Sequence, residues 1–175
     1  MSNTSVNRRA MIGAGAMAVA AVTLSPPSDA EAKTPLIDIA LGLIADWRER
    51  RIDAVLARVD PNIVWHYHVG AHPPIHGKAA MRTFLEAMLT RISDNHWRVF
   101  KHATNGDSVL MEGVDDFVDA EGRRIPVLYM GIMTMKGGLI TEWRDYFDGA
   151  TVDRLKRGEP AGEGIDALLA RPAKP

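Results

Sequence analysis

The order of hydrophobic patterns predicts an α+β domain: a curved antiparallel sheet wrapped as a cone around N-terminal helices, with a pocket at its open end. Three observations carry this. Apolar residues recur at helical spacing before position 60 and again from Lys78 to Ile92. A short β-branched and aromatic segment lies between them. From His96 onward the texture changes to strands joined by glycine-containing turns.

Composition narrows the field. The chain has 175 residues, 46% hydrophobic and 25% charged, which suits one globular domain. A formal net charge of −1 offers no electrostatic footprint for nucleic acid. The absence of cysteine removes disulfides, thiolate nucleophiles and cysteine-ligated metals. No apolar run reaches the roughly 18 residues of a spanning helix.

Residues 1–32 read as an export signal. Arg8-Arg9 precede an apolar, Ala/Gly-rich stretch from Ala10 to Leu24, then Ser25-Pro26-Pro27 and the small-x-small site Ala30-Glu31-Ala32. Paired arginines before a weakly hydrophobic core point to the twin-arginine route. The expected location is therefore periplasmic or secreted, with no stable membrane insertion once the signal is cleaved.

The domain proper is expected over residues 33–153. Thr34-Pro35 starts a helix, and Leu36, Ile39, Ala40, Leu43, Ile44 and Trp47 recur on one face. Ile52, Val55, Leu56 and Val59 continue the pattern after the polar break Arg48–Arg51, and Asp60-Pro61 ends it. Ile63–Val69 is a strand, Gly70–Gly77 a loop, and Lys78–Ile92 a helix carrying Met81, Phe84, Leu85, Met88 and Leu89 inward. Four strands follow: His96–Thr104, Ser108–Val118, Ile125–Met135 and Leu139–Phe147. Asn105-Gly106, Glu121-Gly122 and Gly137-Gly138 mark the hairpins between them. Residues 154–175 are a polar tail with a short helix at Ile165–Ala170.

Several strings carry a resemblance: Pro73-Pro74-x-x-Gly77, Glu112-x-Val114-Asp115, and above all Gly138-Leu139-Ile140-Thr141-Glu142-Trp143-Arg144-Asp145-Tyr146-Phe147-Asp148. With this element order the chain resembles the SnoaL-like branch of the nuclear transport factor 2 superfamily and, within it, the limonene epoxide hydrolase family. The similarity spans roughly Leu36 to Asp153. In that family an Asp–Arg–Asp trio, with a Tyr and an Asn, binds the water that opens an epoxide, and no cofactor is needed. The resemblance places the two Asp at Asp145 and Asp115 and the Tyr-x-Asn stretch within Trp65–Val69, with Trp65 and Tyr67 toward the pocket. At the arginine position stands Gly113.

Strand arithmetic approaches the same residues independently. Three-residue loops at Lys136–Gly138 and Glu121–Arg123 put Tyr129 opposite both Asp145 and Asp115, a row across three strands. A two-residue turn at either hairpin flips one strand and breaks the row. With Asn105-Gly106 as a two-residue turn, Arg98 falls opposite Gly113 and His96 opposite Asp115. Arg98 would then reach across the bare glycine and supply the missing cation. A three-residue turn there would instead point Trp97 and Val99 inward and remove that possibility.

Two carboxylates on one apolar face suggest a general acid–base pair, one holding its proton near neutrality. The candidate catalytic residues are Asp145, Asp115, Tyr67, Tyr129, Arg98 and His68, the last a proton-transferring group at the pocket rim in place of the family's Asn. Trp65, Met111, Val127, Trp143 and Phe147 are expected to line a pocket for a small apolar or aromatic molecule. His66 and His68 could share a strand face, but the sequence nominates no third ligand, so no metal is expected. Asp116, Asp119 and Asp148 read as exposed. Val114, Ile132 and Leu110 point to the opposite sheet face, which suggests cover by a second subunit in a homodimer. Four readings stay open: epoxide hydrolysis, a cofactor-free lyase, dehydratase or isomerase, a small-molecule binder or accessory subunit, and a structural domain.

Overall fold

The structure is a computed structural model that describes residues 34–173. The expected export signal and its cleavage site lie outside the described residues. Two helices, α1 (Leu36–Arg48) and α2 (Ile52–Ala57), precede β1 (Val59–His66), the two-residue β2 (Ile75–His76) and α3 (Gly77–Leu89). The short β3 (Ile92–Asn95) leads into the meander β4 (Arg98–Asn105), β5 (Ser108–Asp119), β6 (Arg124–Lys136) and β7 (Leu139–Phe147). Helices α4 (Gly149–Lys156) and α5 (Glu163–Leu169) close the chain.

Helical spacing delivers what it promised in α1. Ile39, Ala40, Leu43, Ile44 and Trp47 are all buried, and Met81 and Leu85 of α3 meet the same core. Burial of this kind contributes about 1.5–3 kcal/mol per large apolar side chain. The break between α1 and α2 is held by Asp46, whose buried carboxylate accepts from Arg51 and Arg58 at 2.6 Å each. Burial alone would raise its pKa, but the two guanidinium groups hold it below the usual range.

The sheet runs β2-β1-β7-β6-β5-β3, with β4 also on β5, and it curls around α1 and α3. Three neighbouring pairs of the meander are antiparallel as expected, whereas β1 joins β7 in parallel. That parallel pairing sets Trp65 beside Trp143.

The turns depart from expectation in an instructive way. Gly137-Gly138, both at positive φ, make a two-residue turn closed by Lys136 and Leu139. This would flip β7, but a bulge at Thr141 flips it back, so Asp145 still faces inward. The β5–β6 connection is longer than three residues because the Asp119 carboxylate accepts from the backbone N–H of Glu121 and Arg123. In the first hairpin the turn slides to Gly106-Asp107, with Asn105 opposite Ser108, and a bulge at Phe100 then shifts the register. Trp97 and Val99 consequently turn inward and Arg98 outward.

The C-terminal stretch is more than a polar tail. Leu155 of α4 packs on Ile125 and Val127. Residues of and after α5 lie over the outer sheet face: Arg98 donates to the Leu169 carbonyl, and Arg171 pairs with Glu112 and sits over the Phe100 ring. Two aspartates read as exposed are buried. Asp116 is gripped by Arg124, with Arg98 at 3.5 Å, and Asp119 caps its turn. Asp148 is the N-cap of α4.

Candidate active site

A cavity of about 70 Å³ opens between the concave sheet face and helices α1, α3 and α4. Asp145 lies in its wall at 7% exposure, with both carboxylate oxygens taken. Trp143 Nε1 donates to Oδ1 at 2.7 Å and Trp65 Nε1 to Oδ2 at 3.1 Å. The parallel β1–β7 pairing makes this possible: the two indoles stack at 4.7 Å and 19°, so both N–H groups reach one carboxyl. Trp97 continues the stack at 5.8 Å from Trp143.

Asp115 lies on the same concave face, two strands away and partly exposed to the cavity. Its Oδ1 accepts from Asn95 Nδ2 at 2.6 Å, and Asn95 Oδ1 accepts the Trp97 backbone N–H at 3.0 Å. The expected straight row of Asp115, Tyr129 and Asp145 is a diagonal instead. Asp115 faces Val127, Tyr129 faces Gly113 and Phe147, and Asp145 faces Gly131. Each hairpin slips by two residues, which keeps every side chain on its predicted face while staggering the three in depth.

Two glycines make room for this diagonal. A Cβ on Gly131 would stand 3.1 Å from both Asp145 Oδ1 and the Tyr129 ring. A Cβ on Gly113 would collide with the Arg98 carbonyl oxygen and stand 3.0 Å from the Tyr129 hydroxyl. Tyr129 thus spans the floor from Gly131 to Gly113, and what approaches Gly113 is a ring and a backbone, not a guanidinium. The Arg98 expectation is corrected: its side chain lies on the outer face, against Asp116 and Leu169.

The electrostatics follow from burial. Burial raises Asp145 to about 7; the nearby Asp115 charge adds to this and the two indole N–H groups offset part of it. Burial likewise raises Asp115 to about 6, with the Asn95 amide pulling down and Asp116 pushing up. Among the described residues neither carboxylate has an ion-pair partner within 4 Å. Burial, then the two carboxylates, push Tyr67 up to about 12; burial pushes Tyr129 higher still, the neighbouring Trp97 N–H offsetting part of this and the two carboxylates adding to it, so both phenols stay neutral.

Of the other candidates, Trp65, Tyr67, Val127, Trp143 and Phe147 line the cavity. Met111 faces inward but is wholly buried core beneath it. His68 stands outside the cavity, stacked on the far side of Phe147 at 4.0 Å, with Nε2 3.1 Å from the Phe147 carbonyl oxygen. It is a prop for the β7–α4 corner, where its Cε1 would lie 3.0 Å from a Cβ on Gly149. Among the described residues no three His, Asp or Glu side chains converge as metal ligands. Asn95 and the α4 residues Val152 and Lys156 are site residues the sequence did not announce, and Trp97 entered only as the alternative to Arg98. Asn95 sits in Ser93-Asp94-Asn95, which reads as a turn; the buried Ile92 and Trp97 flanking it were the available signal of an edge strand.

The SnoaL-like domain family matches residues 40–143. The chain belongs to the SnoaL-like family. No protein of curated function matches it. Solved SnoaL-like and related structures share the fold. An LEH-like epoxide hydrolase of Mycobacterium tuberculosis is 25% identical, with 77% of this chain and 94% of that one covered and a TM-score of 0.61. A Shewanella denitrificans protein named for SnoaL-like polyketide cyclases is 15% identical, covering 71% and 98%, with a TM-score of 0.65. A Catenulispora acidiphila protein with a ketosteroid isomerase-like fold, in complex with trimethylamine, is 19% identical over 71% and 95%, with a TM-score of 0.62. The cone fold expected from the sequence is the fold of this family.

Proposed function

We propose that this SnoaL-like protein is a general acid–base enzyme acting on a small apolar or aromatic molecule, with Asp115 as base and Asp145 as acid. The observation that carries the reading is the pair itself: two carboxylates in one aromatic cavity, both raised toward neutrality, without a cation between them. Between about pH 6 and 7 the pair holds one proton, on Asp145.

The likeness to the mycobacterial LEH-like epoxide hydrolase favours water addition to an epoxide. A water hydrogen-bonded to Asp115 attacks an epoxide carbon and gives its proton to that carboxylate. The C–O electron pair returns to the oxygen, which takes the proton of Asp145, and a vicinal diol leaves. Asp145 is suited to the acid role because the indoles occupy one position on each oxygen and leave its proton free to face the cavity. Tyr67, a neutral phenol lining the same cavity, is assigned as a further donor to that water.

One feature favours a second reading, a lyase, dehydratase or isomerase. Gly113 stands where the epoxide hydrolase pattern has arginine, and Tyr129 fills the space. A pair without that cation also serves proton abstraction at carbon. Turnover of limonene, cyclohexene and styrene oxides, with Asp145→Asn as control, separates the two. Diol formed by the native chain and lost by at least about 100-fold in the variant supports hydrolysis. An inert, folded native chain moves the assignment to the second reading.

Export by the twin-arginine route and pairing of two copies remain part of this proposal. The outer sheet face supports the latter: Met130 and Tyr146, cross-strand neighbours, are 48% and 43% exposed, with Leu110 and Ile132 half-buried nearby. Sedimentation of the native chain and of Met130→Lys checks it; a dimer lost in the variant is the expected result.

A further inference from the structure

Among the described residues three buried side-chain polar atoms lack a hydrogen-bond partner: Trp97 Nε1, the Tyr129 hydroxyl and Arg144 Nε. Arg144 is otherwise engaged through Nη1 with Glu142. The other two belong to residues that line the cavity, each more than nine-tenths buried. A buried donor left unpaired is costly, so two in one place ask for a reason.

Their placement supplies one. The two rings meet edge to face at 5.4 Å and 83°, which brings the Trp97 N–H near the Tyr129 hydroxyl and offsets part of the effect of burial on that phenol, yet neither atom has a full hydrogen-bond partner. The Tyr129 hydroxyl lies over Gly113, the position where the resemblance calls for a guanidinium. Trp97 is fixed from behind by Asn95, the same residue that holds Asp115. Donors and base are thus one connected unit.

We propose that the Trp97 indole N–H and the Tyr129 hydroxyl together bind a neutral oxygen of the substrate, a carbonyl or cyclic ether on an aryl or alicyclic frame. This rests on reading the cavity as a substrate site. The partner must accept, because indole nitrogen only donates and the phenol can donate alongside it. It is neutral because the ionised Asp115 repels an anion, and the single cation among the lining residues, Lys156, is an exposed side chain on α4. The stacked Trp65, Trp143 and Trp97 indoles offer a flat wall for the hydrocarbon part. Two neutral donors replace the charge of an arginine, and as negative charge develops on that oxygen their hydrogen bonds strengthen. Since the cavity holds only about 70 Å³, against the roughly 150 Å³ of a cavity that admits benzene, side chains at the mouth must move for the ligand to enter.

The test compares acetophenone with α-methylstyrene, which has the same shape but a methylene group in place of the oxygen. Affinities of both for the full chain are measured by tryptophan fluorescence or calorimetry, in the native protein, Trp97→Phe and Tyr129→Phe. The expected result is a ketone-to-alkene affinity ratio that falls roughly 3- to 10-fold in each variant, the size of one hydrogen bond to a neutral group. In ¹⁵N-labelled native protein, the indole resonance missing from Trp97→Phe should move downfield with acetophenone and stay put with the alkene. That readout needs no folded variant of Tyr129. An unchanged ratio, an unmoved resonance or no saturable binding of the ketone overturns the proposal. No turnover is involved, so the outcome is independent of the acid–base assignment: a native ratio kept by Asp145→Asn while turnover is lost would separate the two.

Discussion

At the scale of single residues, the site is defined by what stands where a charge would be expected. Gly113 cannot take the arginine back, because any Cβ there meets the Arg98 carbonyl. Gly113→Arg is therefore expected to lower stability by several degrees in Tm and to give no gain in turnover, read by thermal melts and the epoxide assay. Gly131→Ala is milder. Its methyl would press on Asp145 Oδ1 and the Tyr129 ring at 3.1 Å, so a loss of turnover out of proportion to any loss of Tm is expected. The pH dependence follows from the pair. Below about 6 Asp115 is protonated and the base is lost; above about 7 Asp145 is ionised and the acid is lost. Turnover should peak between those values and fall on both sides. The carboxylates, both indoles of the Asp145 clamp, and Tyr67 were legible as residues. Asn95 was not, and Trp97 only as the alternative to Arg98, because their inward direction depends on an edge strand and a bulge rather than on side-chain type.

At the scale of elements, register decides what reaches the cavity. Period-2 patterning gave the right faces for Asp115, Tyr129 and Asp145, since every slip in those hairpins was even in its net effect. It failed for Arg98 because a bulge at Phe100 leaves no composition signal: Val99 and Phe100 are both apolar and both buried, one on each face. The tail misled for a related reason. Gly158, Pro160 and Gly162 make residues 154–175 read as linker, yet Leu155 and Arg171 each find a partner on the sheet. Helix α4 carries Val152 and Lys156 to the cavity and depends on its cap: Asp148 accepts from Ala150 N at 3.0 Å and Thr151 Oγ1 at 2.6 Å. Asp148→Ala should lower stability modestly and fray the helix, read by thermal melts. Steady-state kinetics should then show KM raised more than kcat is lowered, since the mouth, not the acid–base pair, has been disturbed.

At the scale of the molecule, the site is kept at a cost in stability. Asp145 has its folded-state pKa raised from 3.8 to about 7, so the native state binds more protons than the unfolded chain between those values. Its neutral form is compatible with the fold below pH 4, and stability is lost as pH rises toward 7. Asp145→Asn removes that charge but leaves one indole N–H without an acceptor, so it is expected to raise stability at pH 8 by less than the roughly 4 kcal/mol of the shift and to lower it at pH 4, measured by urea unfolding at the two values. Activity and stability would thus move in opposite directions in one variant. The most direct measurement of the central claim is the titration of the two carboxyls themselves, by ¹³C NMR of aspartate-labelled protein, with Asp145→Asn and Asp115→Asn assigning the resonances. Both are expected to titrate above pH 5, with Asp145 the higher and close to 7. Both titrating near 4, like ordinary surface aspartates, would contradict it.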